Sequence, residues 1–195
     1  DQTAKNVIET VGDAKISTAQ YKYGNSSMLF DGTGDALKVI SGGYPTLANF
    51  TKSGYAGTIE MWVYVSSMPA DRSHLVGFWA SSVGWTIDFN ASGDLFFSDG
   101  GSGSFVTLSS KITSGSWIHL AFVNTGSIIN IYRNGTNVGT KSNYSPGTPT
   151  TNLYVGIRSD STLGLTGYID DLRITQGYAR YTANFTPPTA AFKDK

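Results

Sequence analysis

The segment GTIEMWVYV, residues 57–65, alternates with the period of a β-strand. Ile59, Met61, Val63 and Val65 share one face, and Thr58, Glu60, Trp62 and Tyr64 share the other. The first face is wholly apolar and must meet a core. The second is semi-polar rather than fully wet. A second segment, GSWIHLAFV at 115–123, is apolar on both faces, which suits a strand covered on both sides.

Working outward, strand-length runs recur at short intervals, bounded by Gly, Asn, Asp, Ser or Pro. They lie at 7–11, 27–30, 36–40, 74–80, 85–89, 94–97, 105–108, 128–133, 138–141, 153–157 and 168–174. Asn134-Gly135 between two runs predicts a type I′ hairpin, whose central residues both need positive φ. The turn at 90–94 calls for Gly93 in the left-handed region. Segments 98–104 and 140–151 are expected to be loose, and the tail 186–195 to run extended over the surface. One domain, 1–195, accounts for the whole chain, and no repeat or helix of convincing length interrupts it.

Composition agrees. Of 195 residues only 14% are charged, 23 are Gly and 13% are aromatic, while the only glutamates are Glu9 and Glu60. Helix bundles and alternating β/α folds are nearly excluded by the shortage of helix formers. The formal net charge of +0 carries no electrostatic footprint for nucleic acid or anionic membranes. No apolar run is long enough to insert in a bilayer. With no cysteine there is no disulfide scaffold, thiolate metal site or Cys nucleophile. The chain begins at Asp1 without an initiator Met, and is expected to be a mature fragment or an excised domain.

The succession SSMLFDGTGDAL (26–37), GTIEMWVYV (57–65), GSWIHLAFV (115–123), INIYRNGTNVG (129–139), NLYVGIR (152–158) and GYIDDLRITQGYARYTANFTPPTAAF (167–192) resembles a laminin-G-like domain of the concanavalin A-like lectin/glucanase superfamily. The closing run is most similar to versions in bacteriophage virion and tail proteins. The resemblance implies an all-β fold, an antiparallel two-sheet jelly-roll sandwich with one concave sheet. The family has a further strand ahead of the segment equivalent to 1–6, which removed sequence or a neighbour would supply here.

Glycosidases of the superfamily set several carboxylates on one strand of the concave face, since alternate residues point the same way and retaining hydrolysis needs two about 5–5.5 Å apart. Glu60 has no second acid on its strand and reads as a structural residue of a weakly polar face, and Asp170 and Asp171 are neighbours that a regular strand would point apart. His74 and His119 lack a nucleophile-elbow context, and His119 within WIHLAF is expected to be structural. No enzyme is expected.

Two other chemistries remain. The resemblance implies one structural Ca²⁺ held by Asp170 in the IDD motif, with Asp1 opening a loosely matching loop through Asn6; the alternative is that Asp170 hydrogen-bonds the N-terminal loop without metal. Carbohydrate recognition needs aromatic faces and polar neighbours. Trp79 and Trp85 are the leading aromatic candidates, with Tyr44, Tyr55, Phe105 and Tyr178 behind them, and Asn90, Asp99 and Arg158 could supply polar contacts. The expected role is a non-catalytic binding, attachment or decoration module of a virion or extracellular protein. Its expected partners are carbohydrate or other virion subunits, within a larger parent assembly. An assembly module without a sugar ligand, and a divergent polysaccharide-degrading enzyme, are the alternatives.

Overall fold

The computed structural model describes residues 7–40, 47–79, 83–99, 105–142 and 151–193. Its strands are β1 Val7–Val11, β2 Lys15–Ser17, β3 Ser27–Asp31, β4 Ala36–Ile40, β5 Ala56–Val65, β6 Arg72–Gly77 and β7 Trp85–Asn90. They continue as β8 Leu95–Asp99, β9 Phe105–Leu108, β10 Trp117–Thr125, β11 Ile128–Arg133, β12 Thr136–Ser142, β13 Leu153–Val155 and β14 Thr166–Gln176. A 3₁₀ turn at Leu47–Thr51 is the one helical element among the described residues.

All strand pairings are antiparallel, in two seven-stranded sheets. The first runs β1-β4-β13-β6-β7-β8-β9 and the second β12-β11-β10-β5-β14-β3-β2. Between them lies the core expected from β5: Ile59, Met61, Val63 and Val65 pack with Phe30, Leu75, Trp85, Ile87, Phe89, Phe97, Leu120 and Phe122. Every one of these side chains is fully buried. Apolar burial on this scale is the main favourable term holding the sheets together. The Asn134-Gly135 turn has φ of 50° and 77°, the left-handed pair that a type I′ hairpin demands. Gly135 has a second reason to lack a side chain, because a Cβ there would overlap the Phe185 carbonyl.

One strand goes unread in the sequence, and two expectations need correction. Strand β2 is a three-residue edge strand with exposed Ile16, too short and too polar to read from hydrophobic pattern. Ser98 and Asp99, expected in a loose loop, end β8, and Thr140–Ser142 end β12; residues 100–104 and 143–150 lie outside the described set. Asp170 and Asp171 do not sit on a regular strand either. The β5–β14 ladder slips between Asp170 and Arg173, and Asp171 has φ of 47°.

The face of β5 opposite the core is buried as well. Thr58 and Glu60 are fully buried and Trp62 nearly so. Their cover is residues 178–192, here termed the strap, which follows β14 and lies without regular secondary structure across the outer side of the second sheet. A small satellite cluster marks the junction: Ala121, Val123 and Tyr132 from the sheet, with Ala179, Tyr181 and Phe185 from the strap.

Candidate functional site

Register places the outer face of the second sheet in rows. Across β11, β10, β5 and β14, one row reads Tyr132, Ala121, Glu60, Arg173, and the next reads His119, Trp62, Asp170. Glu60 is the hub. Arg173 donates to its Oε1 from Nε at 3.0 Å and from Nη2 at 2.7 Å, and the Tyr181 hydroxyl donates to Oε2 at 2.8 Å. Arg180 adds a cation at 3.7 Å, and His119 Nε2 lies 3.5 Å away. Burial alone would raise the Glu60 pKa, but His119, Arg173 and Tyr181 outweigh it and hold the carboxyl below its ordinary value. Burial and the same carboxylate push the Tyr181 phenol up. Glu60 therefore stays an anion, enclosed by donors and covered by the strap.

The next row out is aromatic. Trp117, Tyr64 and Tyr168 stand side by side on β10, β5 and β14, half-buried, with ring centroids 5.6 and 5.9 Å apart. Their planes are tilted by 56° and 76°, so the row is an edge-packed cluster rather than a flat platform.

Two of the expected ligand residues meet at the end of the first sheet. Trp79 follows β6, Arg158 follows β13, and the Arg158 guanidinium sits 4.5 Å from the centre of the half-buried Trp79 ring. Ser159 Oγ donates to the Trp79 carbonyl at 2.8 Å, tying the two loops together. Asp160 completes the group, receiving Arg158 Nε at 3.0 Å and Nη2 at 2.6 Å. Its pKa is lowered, chiefly by the Arg158 hydrogen bonds, with the Thr162 hydroxyl and amide assisting. Asp160 is not among the sequence candidates. Its signal is the Asp-Ser-Thr turn at 160–162, where a short acidic side chain caps the amide two residues on.

The other expected residues have structural duties. Trp85 is fully buried between the tilted rings of Phe50 and Phe78, and its indole N–H donates to the Leu47 carbonyl at 3.1 Å. It offers no face to a ligand, which corrects its place beside Trp79. Asn90 accepts the amides of Ser92 and Asp94 and so shapes the β7–β8 turn. Asp99 is buried and takes Lys141 Nζ at 2.6 Å, a bridge from β8 in the first sheet to edge strand β12 in the second. Phe105 and Tyr178 are exposed, while Tyr44 and Asp1 lie outside the described residues. His74, which the sequence marks only by its lack of a nucleophile, forms a buried dyad with Asp88 at 2.7 Å, and Asp88 also accepts the Thr86 hydroxyl.

Asp170 does not fit Ca²⁺. Its Oδ2 accepts the amides of Lys22 and Tyr23 at 2.8 and 3.0 Å, and its Oδ1 accepts that of Asp171. A carboxylate ringed by N–H donors is placed to hold a loop, whereas Ca²⁺ requires converging oxygens. Among the described residues one acidic group does converge: ligand oxygens of Asp13, Asp31 and Asp35 lie within 4.8 Å of one another. Asp35 is the buried member; desolvation raises its pKa even though it accepts the amides of Asp13 and Asp31.

The fold and these sites define an antiparallel jelly-roll sandwich with a buried polar hub on one sheet and an aromatic–cation rim on the other. The chain belongs to a laminin-G-type family of the concanavalin A-like lectin/glucanases superfamily, whose model matches residues 31–180. No curated protein sequence matches it. Among solved structures it is similar to domain 4 of an extracellular arabinanase from Geobacillus stearothermophilus, in complex with arabinotriose. That likeness has a TM-score of 0.62 at 17% identity and covers 88% of this chain and 83% of that one. It is also similar to the receptor-binding domain of a botulinum neurotoxin C/D mosaic serotype, with a TM-score of 0.68 at 12% identity, covering 90% of this chain and 44% of that one. A Trypanosoma rangeli sialidase matches with a TM-score of 0.57 at 12% identity, covering 80% of this chain and 26% of the enzyme. Likeness at such identities concerns the fold.

Proposed function

We propose that this chain is a non-catalytic carbohydrate-binding module of a virion or extracellular protein, with its sugar site at the Trp79–Arg158–Asp160 rim. The carrying observation is that a half-buried indole, a guanidinium and a carboxylate are held together there by two tied loops. A ring takes the apolar face of a sugar, and the charged pair takes its hydroxyls. An arabinotriose-bound domain of the same fold supports the ligand class. The non-catalytic reading is supported by Glu60, which is fully buried and committed to Arg173 and Tyr181. The closing IDDLRIT and ARYTANFTPP motifs support the virion setting.

The test is calorimetry with arabino-oligosaccharides, preceded by a broad glycan array. Trp79→Ala is expected to weaken binding by roughly tenfold or more, the loss of about 1.5 kcal/mol from one stacked ring and its cation. Trp117→Ala, in the edge-packed row, leaves affinity unchanged. A blank array, or full affinity in Trp79→Ala, rejects the proposal. Contacts to sibling subunits are the second reading, favoured by Val7, Ile8, Val11 and Ile16, which are exposed on edge strands β1 and β2.

A further inference from the structure

The strap is held as a ligand is held. It contributes no strand to the second sheet, and its grip comes from separate anchors along its length. Thr58 Oγ1 receives the Arg180 amide at 2.9 Å, and Glu60 receives the Tyr181 hydroxyl. Asn184 Oδ1 accepts the Asn137 amide at 2.8 Å, and the Phe185 amide donates to the Gly135 carbonyl at 2.9 Å. Phe185 lies flat on Tyr181, 3.5 Å between centroids, with Tyr132 and His119 edge-on to it. Farther on, Tyr23 donates its hydroxyl to the Pro188 carbonyl, Arg173 stacks on Phe192 at 3.8 Å, and the Phe192 amide reaches Asp171. Between anchors the strap is exposed at Thr182, Ala183, Thr186, Thr189 and Ala190.

The face beneath behaves as a receptor would. Glu60 and His119 are fully buried and Trp62 nearly so, and Trp62 Nε1 and His119 Nδ1 have no hydrogen-bond partner. Removing the strap would strip Glu60 of Tyr181 and Arg180, leaving a charged, aromatic groove that the same anchors fill best. The family match covers residues 31–180, so most of the strap lies beyond it, as do β1 and β2 at the other end of the chain. At the joint, Gly177 is exposed with φ of 77°, a residue whose backbone can take other angles at little steric cost. Elements bound by few backbone hydrogen bonds open well below the free energy of global unfolding.

We infer that the outer face of the second sheet is a segment-binding site whose occupant is a strap, and that a second copy of this chain can supply it. The partner is recognised by the chemistry of residues 180–185: an Arg-Tyr pair for Glu60, an amide for Asn137, and an aromatic ring for the Tyr132–His119 cleft. Exchange of an identical element costs little, because every interaction broken within one copy is remade between the two. This inference does not depend on sugar binding at Trp79.

The chain lacks cysteine, so introduced thiols report cleanly. In the 195-residue chain, Asn137→Cys and Asn184→Cys are made separately and mixed at high concentration under mild oxidation. The expected product is a covalent heterodimer whose yield grows with concentration and mostly disappears when Phe185→Ala is added to the Asn184→Cys chain. The double variant, closing within one molecule, verifies that the two positions can bridge. Closure of the double variant with no heterodimer from the mixture overturns the inference. Light scattering gives a readout independent of thiol geometry: a dimer fraction in the unmodified chain falls on adding a synthetic peptide of residues 178–193. A chain that stays monomeric at every concentration also overturns it.

Discussion

Glu60→Ala lowers stability by about 3–5 kcal/mol, the usual consequence of removing one member of a buried charge network. The size follows from what is left behind. Arg173, about a quarter exposed, loses a two-pronged partner, the Tyr181 hydroxyl loses its acceptor, and His119 remains buried beside a cavity. In a chain of this length that corresponds to a melting-temperature drop of roughly 10 °C. Glu60→Gln keeps the shape and an acceptor for Tyr181 but removes the charge, so it falls between wild type and alanine. The pH dependence separates charge from packing. The folded-state pKa of Glu60 lies below its unfolded value, so its stabilisation is fully present above the ordinary carboxylate pKa of 4.5. It is lost as pH falls through the lowered folded value. Wild type therefore loses more stability than Glu60→Gln on going from neutral pH to the acid side of that range. Urea unfolding at both pH values measures this. Equal losses in the two proteins, or a change below about 1 kcal/mol for Glu60→Ala, would show that the charge is not held as described.

The same residue marks how far sequence reading reaches. Alternation in 57–65 makes the core face of β5 legible, because period two and apolar side chains are local facts. The semi-polar character of the opposite face is legible too. That residues 178–192 cover it is not, since Glu60 and Tyr181 are separated by 121 positions and only tertiary register joins them. Lys141 and Asp99, or His74 and Asp88, are hidden for the same reason: a charged residue in sequence carries no mark of its partner. Asp170 shows the converse. Its motif is legible, but the roles of holding a cation and capping two amides use the same side chain, and only the donors around it decide.

Trp79 and Trp85 are six positions apart and indistinguishable by composition, so their separation rests on burial, and a mutation pair tests it. Trp85→Ala costs about 3–5 kcal/mol, the range for truncating a large aromatic side chain in a close-packed core. The side chain is fully buried, packs on Phe50 and Phe78, and donates to Leu47, so alanine leaves a cavity and an unsatisfied carbonyl. Trp85→Phe retains much of the volume and loses the hydrogen bond, for about 1 kcal/mol plus the packing deficit. Trp79→Ala, at a half-buried rim position, costs far less. Binding runs in the opposite order. Trp85→Ala, measured below its lowered melting temperature, binds saccharide with unchanged affinity per folded molecule, while Trp79→Ala does not. A large loss of affinity in folded Trp85→Ala would mean that the 3₁₀ turn and the loop at Trp79 are positioned through this one indole. In that case Trp85 acts on the ligand only by supporting the rim, because no face of its ring is open to solvent.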